Sequence, residues 1–120
     1  MTLRHYIKLF ISTLTCFLIL LSDTSGQSYR FRRYGLENGI PDAFVYSIVQ
    51  DNKGYLWIGT GHGLAKFDGF TFFEIEIPGS SGLLYPTSSL KDRNGNLWFG
   101  FNDGSVYFTE GETLKKIETG

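Results

Sequence analysis

An all-β fold of short antiparallel strands is what this sequence predicts, and three observations carry that expectation. Aromatic residues make up 17% of the chain and glycines number 15 among its 120 residues. That pairing favours many short strands joined by tight turns over helices. A nine-residue string recurs 41 residues further on and takes in both tryptophans of the protein, the kind of period that marks a repeat architecture. Beyond the N-terminal segment, the stretches free of Gly and Pro between the turns are too short and too β-branched to build the repeated i, i+3, i+4 faces that helical repeats require.

The first 26 residues stand apart from this pattern. Arg4 and Lys8 give a short positive start, residues 9–21 (LFISTLTCFLILL) carry no charge, and residues 22–27 turn polar and small. This is the three-part plan of a helical secretory signal peptide. The apolar run is shorter than the ~20 residues a spanning helix needs. Small side chains at Thr24 and Gly26 place the expected cleavage between Gly26 and Gln27. Cys16 lies inside the apolar run, with residues 17–21 continuing it, so a lipid-anchored cysteine is not expected. Cleavage would leave a chain without cysteine, hence without disulfide or thiol chemistry.

The repeat is explicit. Asp51-Asn52-Lys53-Gly54-Tyr55-Leu56-Trp57-Ile58-Gly59 returns as Asp92-Arg93-Asn94-Gly95-Asn96-Leu97-Trp98-Phe99-Gly100, with five identities in nine positions. Gly63 then meets Gly104 at the same offset, and one inserted residue later Asp68-Gly69 meets Glu110-Gly111. Each unit reads as four strands separated by turn residues. In the first unit these are residues 44–49, 55–60, 64–67 and 70–75, and in the second 87–90, 96–101, 105–108 and 113–117. Asp68-Gly69 is a two-residue hairpin signal. Four antiparallel strands in ~40–45 residues are one blade of a β-propeller. The prediction is therefore a propeller fragment of about two four-stranded blades, with Trp57 and Trp98 as large spacers between neighbouring blades. Residues 29–34 alternate as an outer strand would, and such an N-terminal strand can clasp the last blade and remove its open edge. The expected organisation is a signal peptide (1–26), a clasp strand and following loop (27–43), a first blade (44–77), and a second, degenerate blade that truncates the array (78–120).

The residues from 31 to 73 resemble the propeller repeat of two-component regulators. The resemblance is carried by Gly39-Ile40-Pro41, Val45-Tyr46-Ser47-Ile48, Asp51-x-x-Gly54-Tyr55-Leu56-Trp57-Ile58-Gly59-Thr60, Gly63-Leu64 and Phe67-Asp68-Gly69. The second unit keeps Asp92, Gly95, Leu97, Trp98, Gly100 and Gly104 but has Phe101 where the repeat has Thr and Ser105 where it has Leu. The WD40 pattern fits less well, since neither tryptophan stands where that signature requires it. The resemblance implies an extracytoplasmic, ligand-binding sensor propeller whose parent protein is anchored in the inner membrane. It implies as partners the remaining blades, a membrane and histidine kinase portion, and a carbohydrate-derived ligand. No phosphoacceptor helix or nucleotide loop is present in the chain, so kinase activity would lie in a C-terminal portion outside it.

Other chemistry is sparse. Net charge is −1, which argues against a nucleic-acid or acidic-lipid surface, and the Arg30, Arg32, Arg33 cluster reads as a solvated strand face. Asp92-x-Asn94-Gly95-Asn96 has oxygen ligands at alternate positions, as calcium loops do, but its sister loop carries Lys53, so a turn is expected and no metal or cofactor. His62 lies between two glycines with no partner to tune it, and no catalytic residue is assigned. Tyr85 and Phe101 are candidates for an exposed aromatic rim that stacks on a sugar. A secreted propeller lyase or hydrolase, and a non-signalling propeller scaffold for protein contacts, are the alternative functions. Two blades share one interface and would leave two apolar faces bare. Residues 27–120 are therefore not expected to form a stable monomer alone.

Overall fold

The computed structural model describes residues 2–20 and 26–118, and Thr24 of the expected cleavage site lies outside them. The chain divides into two compact units, Met1–Arg32 and Arg33–Gly120.

The first unit is built on helix α1, Leu3–Leu20. The helix takes in more than the charge-free run, because Leu3, Tyr6 and Ile7 extend the apolar surface toward the N-terminus. Its 18 residues make it long and apolar enough to cross a membrane by length and composition. Length therefore does not separate a cleaved signal from an anchor, contrary to the expectation that the run is too short. The Thr13 and Thr15 hydroxyls donate to the carbonyls of Leu9 (2.8 Å) and Ile11 (2.7 Å), which satisfies them within the helix and suits an apolar surround. Gly26 and Gln27 are exposed and outside any helix or strand.

The second unit holds eight strands in two four-stranded antiparallel sheets. The first sheet runs in the order β1 (Val45–Gln50), β2 (Leu56–Thr60), β3 (Gly63–Phe67), β4 (Phe72–Ile75). The second runs β5 (Pro86–Lys91), β6 (Leu97–Phe101), β7 (Val106–Glu110), β8 (Thr113–Lys116). Each sheet is a simple up-and-down meander, the two pack through β1, β2 and β5, and the architecture is that of two propeller blades. The same register shift, one residue wide, follows Val45 in β1 and Pro86 in β5. Bulges of this kind raise the local twist, and this one recurs at the repeat offset.

Two turns differ in detail from the sequence expectation. Asp68 donates its N–H to the Thr71 carbonyl, so the tip of the hairpin is Gly69-Phe70, one residue beyond Asp68-Gly69. The cause is the Asp68 carboxylate, which accepts the N–H groups of Phe70 (2.8 Å) and Thr71 (2.7 Å) and so belongs to the stem. The equivalent tip, Gly111-Glu112, follows from the Glu110–Thr113 pair, and β7 consequently runs two residues past its predicted end.

Register determines which side chains meet between the sheets. Val49, Trp57, Lys66 and Phe73 form one row across the first sheet, and Ser47, Gly59, Leu64 and Ile75 the next. Facing them are Leu97, Phe99, Phe101, Tyr107 and Leu114 of the second sheet, with Trp57, Leu64 and Ile77 in the same buried cluster. Each large apolar side chain buried in this way contributes about 1.5–3 kcal/mol. The Tyr107 hydroxyl donates to the Pro78 carbonyl (3.1 Å) and ties the connection between the blades to this core.

The opposite face of the first sheet is not bare, which corrects the expectation of two uncovered faces. Ile58, Ala65 and Phe67 on that side are 5%, 0% and 8% exposed. Tyr34 sets its ring edge-on against Phe67 (5.0 Å) and Phe72 (5.8 Å). The lead-in chain then turns through a 3-10 helix, Leu36–Asn38, and reaches Gly61, whose N–H donates to the Phe44 carbonyl. Residues 29–34 join neither sheet.

Candidate functional site

The repeated turn is built by a carboxylate. Asp51 Oδ1 accepts the backbone N–H groups of Lys53 and Tyr55, both at 2.9 Å, and its Oδ2 accepts the Trp57 indole N–H at 2.9 Å. Asp92 does the same with Asn94 and Asn96 at 2.9 Å and with the Trp98 indole at 2.8 Å. One short side chain thus closes the β-turn and fixes the indole of its own blade, and in the first blade that indole, Trp57, packs between the sheets. Gly54 (φ 89°) and Gly95 (φ 84°) take the left-handed position that ends each turn, where any other residue is strained. These bonds engage both oxygens of each carboxylate in the turn and the indole beside it. Among the described residues, no group of three or more His, Cys, Asp or Glu side chains is placed to hold a metal ion.

Hydrogen bonding governs the titration of both aspartates. For Asp51, burial pushes the carboxyl upward, but the Trp57 indole and the Tyr55 and Lys53 N–H groups together outweigh it and hold the pKa below the ordinary range. For Asp92 the Trp98 indole is the largest influence, and the pKa is again lowered.

The first clamp and the turn residues 94–96 of the second blade frame a cleft between the blades, at the end of the sheets that carries the β1–β2 and β3–β4 turns. It has a volume of about 240 Å³. Asn52 reaches across so that its amide occupies the space beside Gly95 where a Cβ would stand, and Lys91 Nζ lies 3.4 Å from Asn52 Oδ1. Lys53 Nζ pairs with Glu112 Oε1 at 2.8 Å, an exposed ion pair bridging the blades. It raises the lysine pKa and lowers that of the glutamate, the direct hydrogen bond being the main cause for each. Lys66 Nζ sits over the rings of Tyr55 (4.3 Å) and Trp57 (5.2 Å), where the ring quadrupole attracts it. The cleft therefore offers ammonium and amide donors beside carboxylate acceptors and the edge of one indole, a lining able to hydrogen-bond a small polar ligand. A second cleft, of about 300 Å³, opens at the other end of the sheets beside His62, Glu74, Glu76 and Leu84.

Of the residues singled out in the sequence, Asp51, Gly54, Leu56, Trp57 and Gly59 lie in the first turn and strand β2, with Asp92, Gly95, Leu97, Trp98 and Gly100 at the equivalent places in the second blade. Gly63 opens β3 with φ 127°, whereas Gly104 lies in the turn ahead of β7 with φ 85°. His62 is exposed at its hairpin tip. Its backbone N–H, not its ring, makes the local bond, to Thr60 Oγ1 at 3.3 Å. The aromatic rim is overturned at Phe101, which is 4% exposed and packs edge-on to Tyr107 at 4.9 Å. Strand alternation turns it toward the neighbouring blade. Tyr85 stacks on Tyr46 at 5.2 Å, so one of its faces is already occupied. Sequence reasoning missed the Asp–Trp bond, although its signal, an aspartate six residues before each tryptophan, stood in the repeat. It also missed Thr109, buried to 4%, whose hydroxyl accepts the Leu97 N–H at 2.9 Å.

With two blades that each carry the same carboxylate–indole clamp, the class of the second unit is a propeller repeat module. Residues 39–62, which contain the first clamp through Trp57, match the family model described as two component regulator propeller, so the chain carries such a repeat there. The chain is also similar to "Histidine kinase P4" of Formosa agariphila, with 36% identity over 66 residues, 55% of this chain and 5% of that protein. The match thus spans about one twentieth of the relative's length.

Proposed function

We propose that this chain is the extracytoplasmic sensor portion of a two-component regulator, with the propeller as its ligand-binding part and the kinase in a further portion of a longer protein. The observation that supports this most is the regulator-propeller match at residues 39–62, standing behind an N-terminal apolar helix. Similarity to a protein named histidine kinase points the same way. In this reading the helix directs the propeller across the inner membrane and residues 1–26 are removed before Gln27. Residues 29–34 supply the outer strand of the closing blade. The repeat residues Asp51, Gly54, Leu56, Trp57, Gly59 and their partners in the second blade maintain the scaffold and do not touch ligand. The chain itself has no catalytic role. Ligand binding shifts blade or propeller packing, and a spanning helix passes that shift to the kinase.

The decisive experiment is to read the coding sequence beyond Gly120. Further propeller repeats, a spanning segment and a kinase frame are expected; a genuine stop followed by none of these removes the proposal. A labelled-glycan binding screen on the complete propeller then tests the sensor role against that of a protein-contact scaffold.

A further inference from the structure

Two polar residues stand where the sister blade has phenylalanine, and both open onto the cleft between the blades. The residue paired with Trp57 is Lys66, whereas Trp98 pairs with Phe108. One position further along each strand the difference reverses, with Phe67 in the first blade and Thr109 in the second. Lys66 and Thr109 both line the cleft of about 240 Å³. The Lys66 ammonium rests on the Tyr55 and Trp57 rings at 4.3 and 5.2 Å and enters no ion pair among the described residues. Thr109 is 4% exposed; its hydroxyl accepts the Leu97 N–H at 2.9 Å and donates to no acceptor among the described residues. The carboxylates of the cleft are already engaged, Asp51 by three N–H groups and Glu112 by Lys53. Asn94 and Asn96 also line it, and only their backbone N–H groups are used, in the Asp92 turn. What stays open is a cation and a buried O–H, with two side-chain amides beside them.

We propose that this cleft binds a small hydroxycarboxylate, its anionic end on the Lys66 ammonium and its other oxygens accepting from the Thr109 hydroxyl and the Asn94 and Asn96 amides. Charge selects the class: a neutral polyol leaves Lys66 without a counter-ion, and a cation is repelled by it. Volume selects the scale, since the cleft has room for about eight waters, enough for a small organic acid and too little for a peptide or an oligosaccharide. The rings beneath Lys66 hold its ammonium in place before the ligand arrives, which lowers the cost of ordering a long side chain on binding. The first blade supplies the charge and the second the remaining donors, so the site exists only where the two sheets pack. The inference rests on the reading of the propeller as the ligand-binding part and deepens it with a site and a ligand class.

The test is isothermal titration of the full chain, kept in non-ionic detergent on account of α1, with malate, gluconate, sorbitol and inorganic phosphate. One or both acids are expected to bind about tenfold or more tightly than sorbitol, which is gluconate with its carboxylate replaced by an alcohol, and more tightly than phosphate. Preference for malate assigns a short hydroxy acid and preference for gluconate a sugar acid; either supports the site. Lys66→Met, which keeps an apolar stem on the rings, should erase the advantage of the acids over sorbitol, and Lys66→Arg should retain it. Near-ultraviolet circular dichroism of Lys66→Met is expected to match that of the parent. If it does not, Asn94→Ala carries the test, because that exposed turn position leaves the fold intact and should weaken acid binding about threefold. No binding of either acid, sorbitol bound as tightly as the acids, or acid binding that survives both Lys66→Met and Asn94→Ala overturns the proposal. Phosphate bound more tightly than either acid overturns the ligand class. The coding sequence beyond Gly120 tests the functional reading without reference to this cleft, so the two proposals fail separately.

Discussion

Blade 1 and blade 2 hold their tryptophans with the same carboxylate bond, yet Trp57 is 3% exposed while Trp98 is only half-buried. Trp57 lies 5.8 Å from Phe99 of the neighbouring sheet, whereas Trp98 stacks at 5.3 Å on Phe108 of its own. The local clamp is complete in each blade, and what differs is the neighbour. A blade's turn is thus a property of its own sequence, while the worth of its tryptophan comes from the next sheet over. The comparison extends along the row: Lys66 lies over the rings beside Trp57, and Phe108 takes that place beside Trp98.

The largest effect that sharpens this contrast is expected at the tryptophans. Trp57→Ala should cost about 3–5 kcal/mol, as large core truncations do, and Trp98→Ala clearly less; equal losses in denaturant titrations would break the comparison. Next comes the glycine pair. Gly59→Ala forces a methyl against the Pro86 backbone and should cost about 1–3 kcal/mol by overpacking, while Gly100→Ala should stay within about 0.5 kcal/mol.

Ser47 and Ser88 give a smaller effect of opposite sign. Ser47 Oγ is buried and makes no hydrogen bond among the described residues, so Ser47→Ala should stabilise the fold by about 1 kcal/mol. Ser88→Ala, at an exposed position, should do nothing.

Acid provides a fourth comparison. Asp51 and Asp92 have pKa values lower in the fold than in the unfolded chain. Their contribution to stability is therefore present above the unfolded value of about 4 and is lost as pH falls through the folded values. Urea midpoints should drop between pH 5 and pH 3, and Asp51→Asn or Asp92→Asn should flatten that drop. The smallest effect belongs to Lys53→Ala or Glu112→Ala. Both partners are mostly exposed, at 65% and 69%, so no measurable change in stability is expected.

Much of this was legible in advance. The eight strands follow from aromatic and β-branched runs punctuated by Gly and Asp, because side-chain shape and turn chemistry act over a few residues. Boundaries slipped where a side chain intervened, as at Asp68, whose carboxylate moved the hairpin tip by one residue. Phe101 misled because position near a turn says nothing about which face of a strand a side chain takes; register across β5 and β6 decides that. The inter-blade cleft was illegible for a related reason. Asn52, Lys66 and Glu112 are far apart in sequence and meet only when two sheets pack.

The sequence by itself determined the repeat, the strand content, the turns and the pairing of each aspartate with its tryptophan, all interactions that close within about six residues. Only the tertiary structure decided which glycine is roofed and which lies open, which aromatic rings become core, and that the lead-in chain with Tyr34 shields the first sheet. Those outcomes depend on the packing of surfaces dozens of residues apart, where local propensity has no reach.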